Sequence, residues 1–374
     1  MVGPDARNRK EGEGMNRREA LKLSAAGLAG AAMGPAMGCS SLGGILGGSP
    51  SDPNSLRSLA DKHGLLVGSA CAWYLIKGQP QYAEILAREF NCLVADNDMK
   101  MDALLAERGK YKFDNADATM DFAAKHNMAV RAVPLVWHDG LPGWAMEKDF
   151  SREEALEILK EHIFTVVKRY KGKIFAWDVL NEGIGDHGPG MQDKGPWFKA
   201  IGKEYAEIVY NWAHEADPNC ELYYNDFYIN RFSVKAQRCH DWLKEQLAHG
   251  VPIHGVGFQY HVQVDNHPKV QEAKDNIKRF VDLGLKVHIT ELDVWLPKNY
   301  TEDHLKRQAQ VYREVYEIAL ATPELTAVVT WGFVDTYSWV KYTSGGSYDD
   351  ALLYDREYKP KPAYEAIRAA LREA

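Results

Sequence analysis

From Ser55 onward the chain alternates short apolar runs with longer stretches whose apolar residues recur every three to four positions. The short runs, residues 65–72, 92–97, 129–137, 174–181, 222–225, 255–260, 286–290 and 327–333, read as buried strands. Between them residues 152–170, 197–216, 234–249 and 302–321 carry the helical period, and a last helix is expected over 362–372. Eight strand–helix units in this length predict a single (β/α)8 barrel over residues 55–374. A doubly wound sheet is the competing architecture. It would call for a glycine-rich phosphate turn after the first strand, and Gly68-Ser69-Ala70-Cys71 is not one. Pro134 cannot donate to a ladder, so a local bulge is expected inside the third strand.

A barrel collects its functional groups at the C-terminal ends of its strands. The polar residues fall there. Asn97, Asp98 and Lys100 follow the second strand, and Trp137 and His138 end the third. Asn181 and Glu182 end the fourth, Asn225 and Asp226 the fifth, Gln259 and His261 the sixth. Glu291 and Asp293 end the seventh, Trp331 ends the eighth, and Trp339 lies in the loop beyond. A carboxyl at the tip of a buried strand is costly unless it has partners or a task. Glu182 and Glu291 close two such phrases, Trp-Asp-Val-Leu-Asn-Glu and Ile-Thr-Glu-Leu-Asp.

Two carboxyls facing one substrate across a barrel mouth are the equipment of a glycosidase. One gives a proton to the leaving oxygen. In retaining enzymes the other attacks the anomeric carbon. Asn181 can hold a sugar hydroxyl beside the reacting carbon, and an Asp293–His261 pair can keep Glu291 ionised and oriented. Glu182 then needs a raised pKa to be protonated at working pH.

Composition narrows the partners. The net charge is −7 with no basic stripe, so nucleic acid is not expected. Ten Trp and nineteen Tyr serve packing, sugar stacking or both. The N-terminus stands apart from the barrel. Arg17-Arg18 precedes a short Ala/Gly/Leu stretch that resembles a Tat-type export signal over residues 1–39, starting naturally at Met15. Ala36-Met37-Gly38-Cys39 resembles a lipoprotein cleavage box, so a lipid on Cys39 is the one membrane link expected. Ordinary cleavage nearby is the alternative. Residues 40–54 read as a flexible tether, and the product is periplasmic, on the cell surface or secreted. Cys71, Cys92, Cys220 and Cys239 match no metal site. Cys71 and Cys92 fall on neighbouring predicted strands, yet buried free thiols are expected.

The phrases ending in Glu182 and Glu291 resemble the acid/base and nucleophile signatures of family 10 glycoside hydrolases, the retaining endo-β-1,4-xylanases. Leu135-Val136-Trp137-His138, Tyr223-Tyr224-Asn225-Asp226, Gly257-Phe258-Gln259 with His261, and Trp331-Gly332 with Ser338-Trp339 extend the resemblance. It runs from about Leu56 to the C-terminus. It implies that Glu182 is the acid/base and Glu291 the nucleophile, with His261 and Asp293 in support. Asn181, Asn225, Gln259 and His261 would meet the sugar and nucleophile. Asn97 and Lys100 would hold the next sugar on the non-reducing side, Trp331 and Trp339 would wall the cleft, and His138 would support its floor. A monomer acting on a xylan-like polysaccharide, without metal or cofactor, is implied. A relative shifted to β-glucosyl or decorated glycans, or a surface lipoprotein that binds glycan without cutting it, are the other readings.

Four positions depart from that family. Val133 replaces a His of the third-strand phrase, Gly140 a Gln, Asp96 a Glu and Met101 a Trp. A lost neutral hydrogen bond costs roughly 0.5–1.5 kcal/mol. The changes weaken binding of plain xylan, make room for a different unit, or are compensated by nearby loops.

Overall fold

The computed structural model describes residues 52–146, 148–185, 191 and 195–374. The export signal, Cys39 and nearly all of the tether lie outside the described residues. Eight parallel strands form a closed barrel: β1 (Leu66–Cys71), β2 (Cys92–Ala95), β3 (Ala129–Ala132), β4 (Ala176–Asn181), β5 (Glu221–Asp226), β6 (Gly255–Phe258), β7 (Lys286–Pro297) and β8 (Leu325–Thr330). Consecutive strands pair in order, and β8 closes on β1 with Leu66 opposite Ala327. Helices α1 (Leu56–His63), α2 (Pro80–Glu89), α3 (Asp114–Lys125), α4 (Arg152–Arg169), α5 (Tyr205–Ala216), α6 (Val234–Ala248), α7 (Val270–Val281), α8 (Glu302–Ala321) and α9 (Pro362–Glu373) form the outer layer.

Local chemistry sets the helix ends. The hydroxyls of Ser55, Ser151 and Ser233 accept from the backbone N–H three residues on, which starts α1, α4 and α6. The expected helix over 197–216 is two helices, Pro196–Ile201 and α5. Gly202, at φ 87°, ends the first in a conformation favoured by glycine.

The third strand is shorter than its apolar run, because the ladder stops at Ala132, before Pro134. The chain rejoins the sheet at Leu135 and Val136, whose N–H groups donate to the Asp178 and Val179 carbonyls at 2.8 and 3.0 Å. The seventh strand runs longer, to Pro297, because Leu292, Asp293, Val294 and Leu296 are all buried. Its register against β8 shifts between Ile289 and Leu292, and Glu291 lies in that irregularity. A short segment, His261–Gln263, pairs with the extension and sets His261 opposite Asp293.

A buried ionic layer lies within the barrel. Arg131 forks onto Asp178, with Nη1 2.6 Å from Oδ2, and its Nε donates to His288 Nδ1 at 3.3 Å. Tyr223 lies 2.9 Å from the other nitrogen of His288. Gly257 of β6 leaves space for this interior and for the site above it: a Cβ there would lie 2.3 Å from Asn225 Oδ1. Cys71 pairs in register with Ala95, and Cys92 with Gly68, so the two thiols do not face each other. All four described cysteines are buried and free, as expected.

Candidate active site

The ends of β4 and β7 carry the two glutamates, and a chain of amides joins them. Glu182 follows β4 at φ 53°, its N–H donating to the Asn225 carbonyl at 2.8 Å. Its Oε1 accepts from Gln259 Nε2 at 2.8 Å and its Oε2 from the Trp137 indole at 3.0 Å. Gln259 also reaches Asn181 Oδ1 at 3.4 Å. Asn225 Nδ2 donates to Asn181 Oδ1 at 2.9 Å and to Glu291 Oε1 at 2.7 Å. Thr290 Oγ fixes the Asn225 amide by donating to its oxygen at 2.7 Å.

Glu291 has a second partner, His261 Nε2, 3.3 Å from Oε2. The other ring nitrogen stands 2.9 Å from Asp293 Oδ1, an ion pair whose angle falls short of a well-aligned hydrogen bond. Asp293 is fully buried and accepts from the indoles of Trp295 at 2.6 Å and Trp339 at 2.8 Å. Trp339 meets the His261 ring edge-on, with centroids 4.8 Å apart.

These surroundings separate the two carboxyls electrostatically. Burial pushes Glu182 up to about 7; the bonds from Gln259 and Trp137 oppose this, and the negative charges of Asp226 and Glu291 add to it. Burial alone would lower His261. The Asp293 carboxylate, then Glu291, outweigh it and push the imidazole up to about 10. Glu291 therefore sits beside an imidazolium, and Glu182 sits in a site that favours its protonated form.

On the far side of the pair, Lys100 Nζ donates to Asn97 Oδ1 at 2.9 Å and lies 5.5 and 5.7 Å from the rings of Trp137 and Trp331. The predicted residues thus group around the pair, and His138 meets the Trp137 ring edge-on, with centroids 6.1 Å apart. His138 lines a separate cavity of about 250 Å3 with Leu141, Met146 and Pro196. Trp144 donates to the Leu105 carbonyl at 3.0 Å and packs on the core. Sequence reasoning placed Trp137 at the end of the third strand without giving it a role, and did not pick out Thr290 and Trp295. Trp295 had a signal: it lies two residues from Asp293 on one strand, hence on the same face.

The family model for Glycosyl hydrolase family 10 matches residues 55–370. The chain belongs to that family. It is 40% identical to endo-1,4-beta-xylanase B of Thermotoga neapolitana, over 85% of this chain and 92% of the relative. Xylanase 10B of Thermotoga maritima superposes with a TM-score of 0.82 at 39% identity, covering 85% of this chain and 98% of that one. Xylanase 10B of Thermotoga petrophila RKU-1, solved in complex with xylobiose, gives 0.82 at 39%, over 85% and 97%.

Set against the family pattern, the departures are not simply vacated space. Val133 is 2% exposed and packs in the core, and so does Met101 at 4%. Gly140 takes φ 59°, and a Cβ on it would stand 3.0 Å from Trp137 Cε3. The loop here takes a left-handed turn that sets its backbone against the Trp137 ring, which holds Glu182. Asp96 stays within reach of Lys100, at 3.9 Å.

Proposed function

We propose that this chain is a retaining endo-β-1,4-xylanase working by double displacement. The observation that carries the reading is the separation of roles between two linked carboxyls: Glu182 raised to about 7 by burial, Glu291 held by an Asn225 amide and the His261 imidazolium. Glu291 attacks the anomeric carbon while Glu182 gives its proton to the departing oxygen. The glycosyl–Glu291 ester then meets a water, whose proton Glu182 takes as the hydroxyl attacks, freeing Glu291. Asn181, whose oxygen is occupied by Asn225 and Gln259, offers its NH2 to a sugar hydroxyl. Asn97 and Lys100 take the next sugar on the non-reducing side, and Trp331 and Trp339 wall the cleft.

The relatives' activity on xylan supports the substrate class, and glycine at 140, where the family has a Gln, supports a preference shifted from plain xylan. Incubation with xylan and xylooligosaccharides tests both. Shorter β-anomeric products, seen first by proton NMR, are expected. No cleavage, or an α-anomer first, overturns the reading. The enzyme acts as an exported monomer, held at the surface through Cys39. Fractionation and lipid labelling of the whole protein and of Cys39→Ala check the anchor, and light scattering the monomer.

A further inference from the structure

Beyond the paired carboxyls the cleft opens into a cavity of about 540 Å3. Gln259 and His261, which bond Glu182 and Glu291, form part of its wall, so it begins at the cleavage point. It lies on the β5–β6 side of the pair, with the rings of Phe227, Tyr228 and Trp295 around it. Asn97, Lys100 and Trp331 lie on the opposite side, after β2 and β8. The cavity is therefore on the leaving-group side of the bond.

Its charge is unusual. Lys235, one cation in the lining, is neutralised by buried Asp226 at 2.8 Å. Arg231, the other, is held by neutral partners only: Nη1 donates to Asn266 Oδ1 at 2.9 Å and Nη2 to the Asn266 carbonyl at 3.1 Å. The neighbouring carboxylate, Asp265, is taken by Arg307. Among the described residues no carboxylate pairs with Arg231, and its buried Nε has no acceptor. A guanidinium has five N–H donors, and only two are used here. The group is fixed in position before any ligand arrives, with its charge unanswered. Sugar hydroxyls would be served as well by Asn or Gln. A carboxylate is what a planar cationic fork matches.

We propose that Arg231 recognises a carboxylate on the leaving half of the substrate, a uronic acid unit carried by the β-glycan. This rests on the glycanase reading above and adds a substrate class to it. The test compares kcat/KM on a uronate-bearing xylan with kcat/KM on the same polymer after its carboxyls are reduced to alcohols. The wild-type enzyme prefers the acidic polymer, and Arg231→Gln lowers the acidic-to-neutral ratio roughly five- to tenfold. Arg231→Lys, which keeps the charge without the fork, falls between. Salt near 1 M erodes the wild-type preference and leaves the ratio of Arg231→Gln where it was. Equal ratios for wild type and Arg231→Gln overturn the proposal while leaving the glycanase intact. Failure of the wild type on both polymers overturns the glycanase reading instead.

Discussion

The imidazole of His261 stands 2.9 Å from the carboxylate of Asp293, and this contact decides what charge lies beside Glu291. With Asp293 ionised, His261 is pushed up to about 10 and both ring nitrogens carry protons near neutral pH. The proton on Nε2 then points to Glu291 Oε2, 3.3 Å away. Two indole N–H groups keep Asp293 in place. Asp293→Asn removes the charge but keeps the shape. The imidazole becomes neutral, and Glu291 loses a charged donor as it turns into a leaving group in the second step. The expected outcome is a fall in kcat on the order of 10²-fold, with KM little changed. Steady-state kinetics on an aryl β-xylobioside measure it, and an unchanged kcat would refute the assigned role.

The proton on Glu182 sets the alkaline side of the activity profile. Glu182 must be protonated to assist departure, and its pKa is pushed up to about 7. Activity as kcat/KM should therefore fall about tenfold per pH unit above roughly 7. Asp226 contributes to that elevation through its negative charge, opposite Lys235. Asp226→Asn takes this charge away, and its loss favours ionised Glu182. The alkaline limb should then move to lower pH by roughly half to one pH unit. A pH series of kcat/KM for the two proteins decides it; a shift to higher pH would contradict the assignment.

Restoring the family's glutamine at Gly140 is expected to harm this chain. The backbone there is left-handed, and a Cβ would press on Trp137, which donates to Glu182. Gly140→Gln should cost about 1–2 kcal/mol of stability and lower activity on xylan. Urea unfolding alongside initial rates measures both. A gain in activity would mean that the loop adapts and that the glycine had only vacated a sugar contact.

The barrel was legible because its strands are buried apolar runs ending in polar clusters, and because such clusters mark one end of this fold. Glu182, Glu291 and the amides around them stood out for that reason. Boundaries were less legible where backbone geometry overrides pattern. Pro134 stopped a strand whose side chains remained apolar, and Gly202 split a run with unbroken helical period. The support beneath the site was harder to read. Nothing in the apolar run 129–137 says that Trp137 will turn its N–H onto Glu182, since that contact joins residues 45 positions apart. Glycine at 140 looked like missing bulk, and only its φ shows that it is needed by the path of the loop.

Acid stability should depend on a histidine remote from the site. His162 lies fully buried on α4, its Nδ1 3.5 Å from the Tyr111 hydroxyl and its Nε2 without a hydrogen-bond partner. Burial pulls its pKa from 6.5 down to about 4. The unfolded chain thus binds this proton near pH 6.5, while the folded chain resists it until about pH 4. The stabilisation from keeping His162 neutral is complete above pH 6.5 and is lost as the pH falls from 6.5 to 4, in total about 3 kcal/mol. Raised carboxyls such as Asp178 act in the opposite sense, so the wild-type curve alone does not isolate the effect. His162→Phe removes the titrating ring and keeps an aromatic beside Tyr111. Urea unfolding of both proteins between pH 7 and 4.5 should show the variant losing about 2–3 kcal/mol less than the wild type. Parallel losses in the two would show that His162 takes up its proton in the folded state as readily as in the unfolded one.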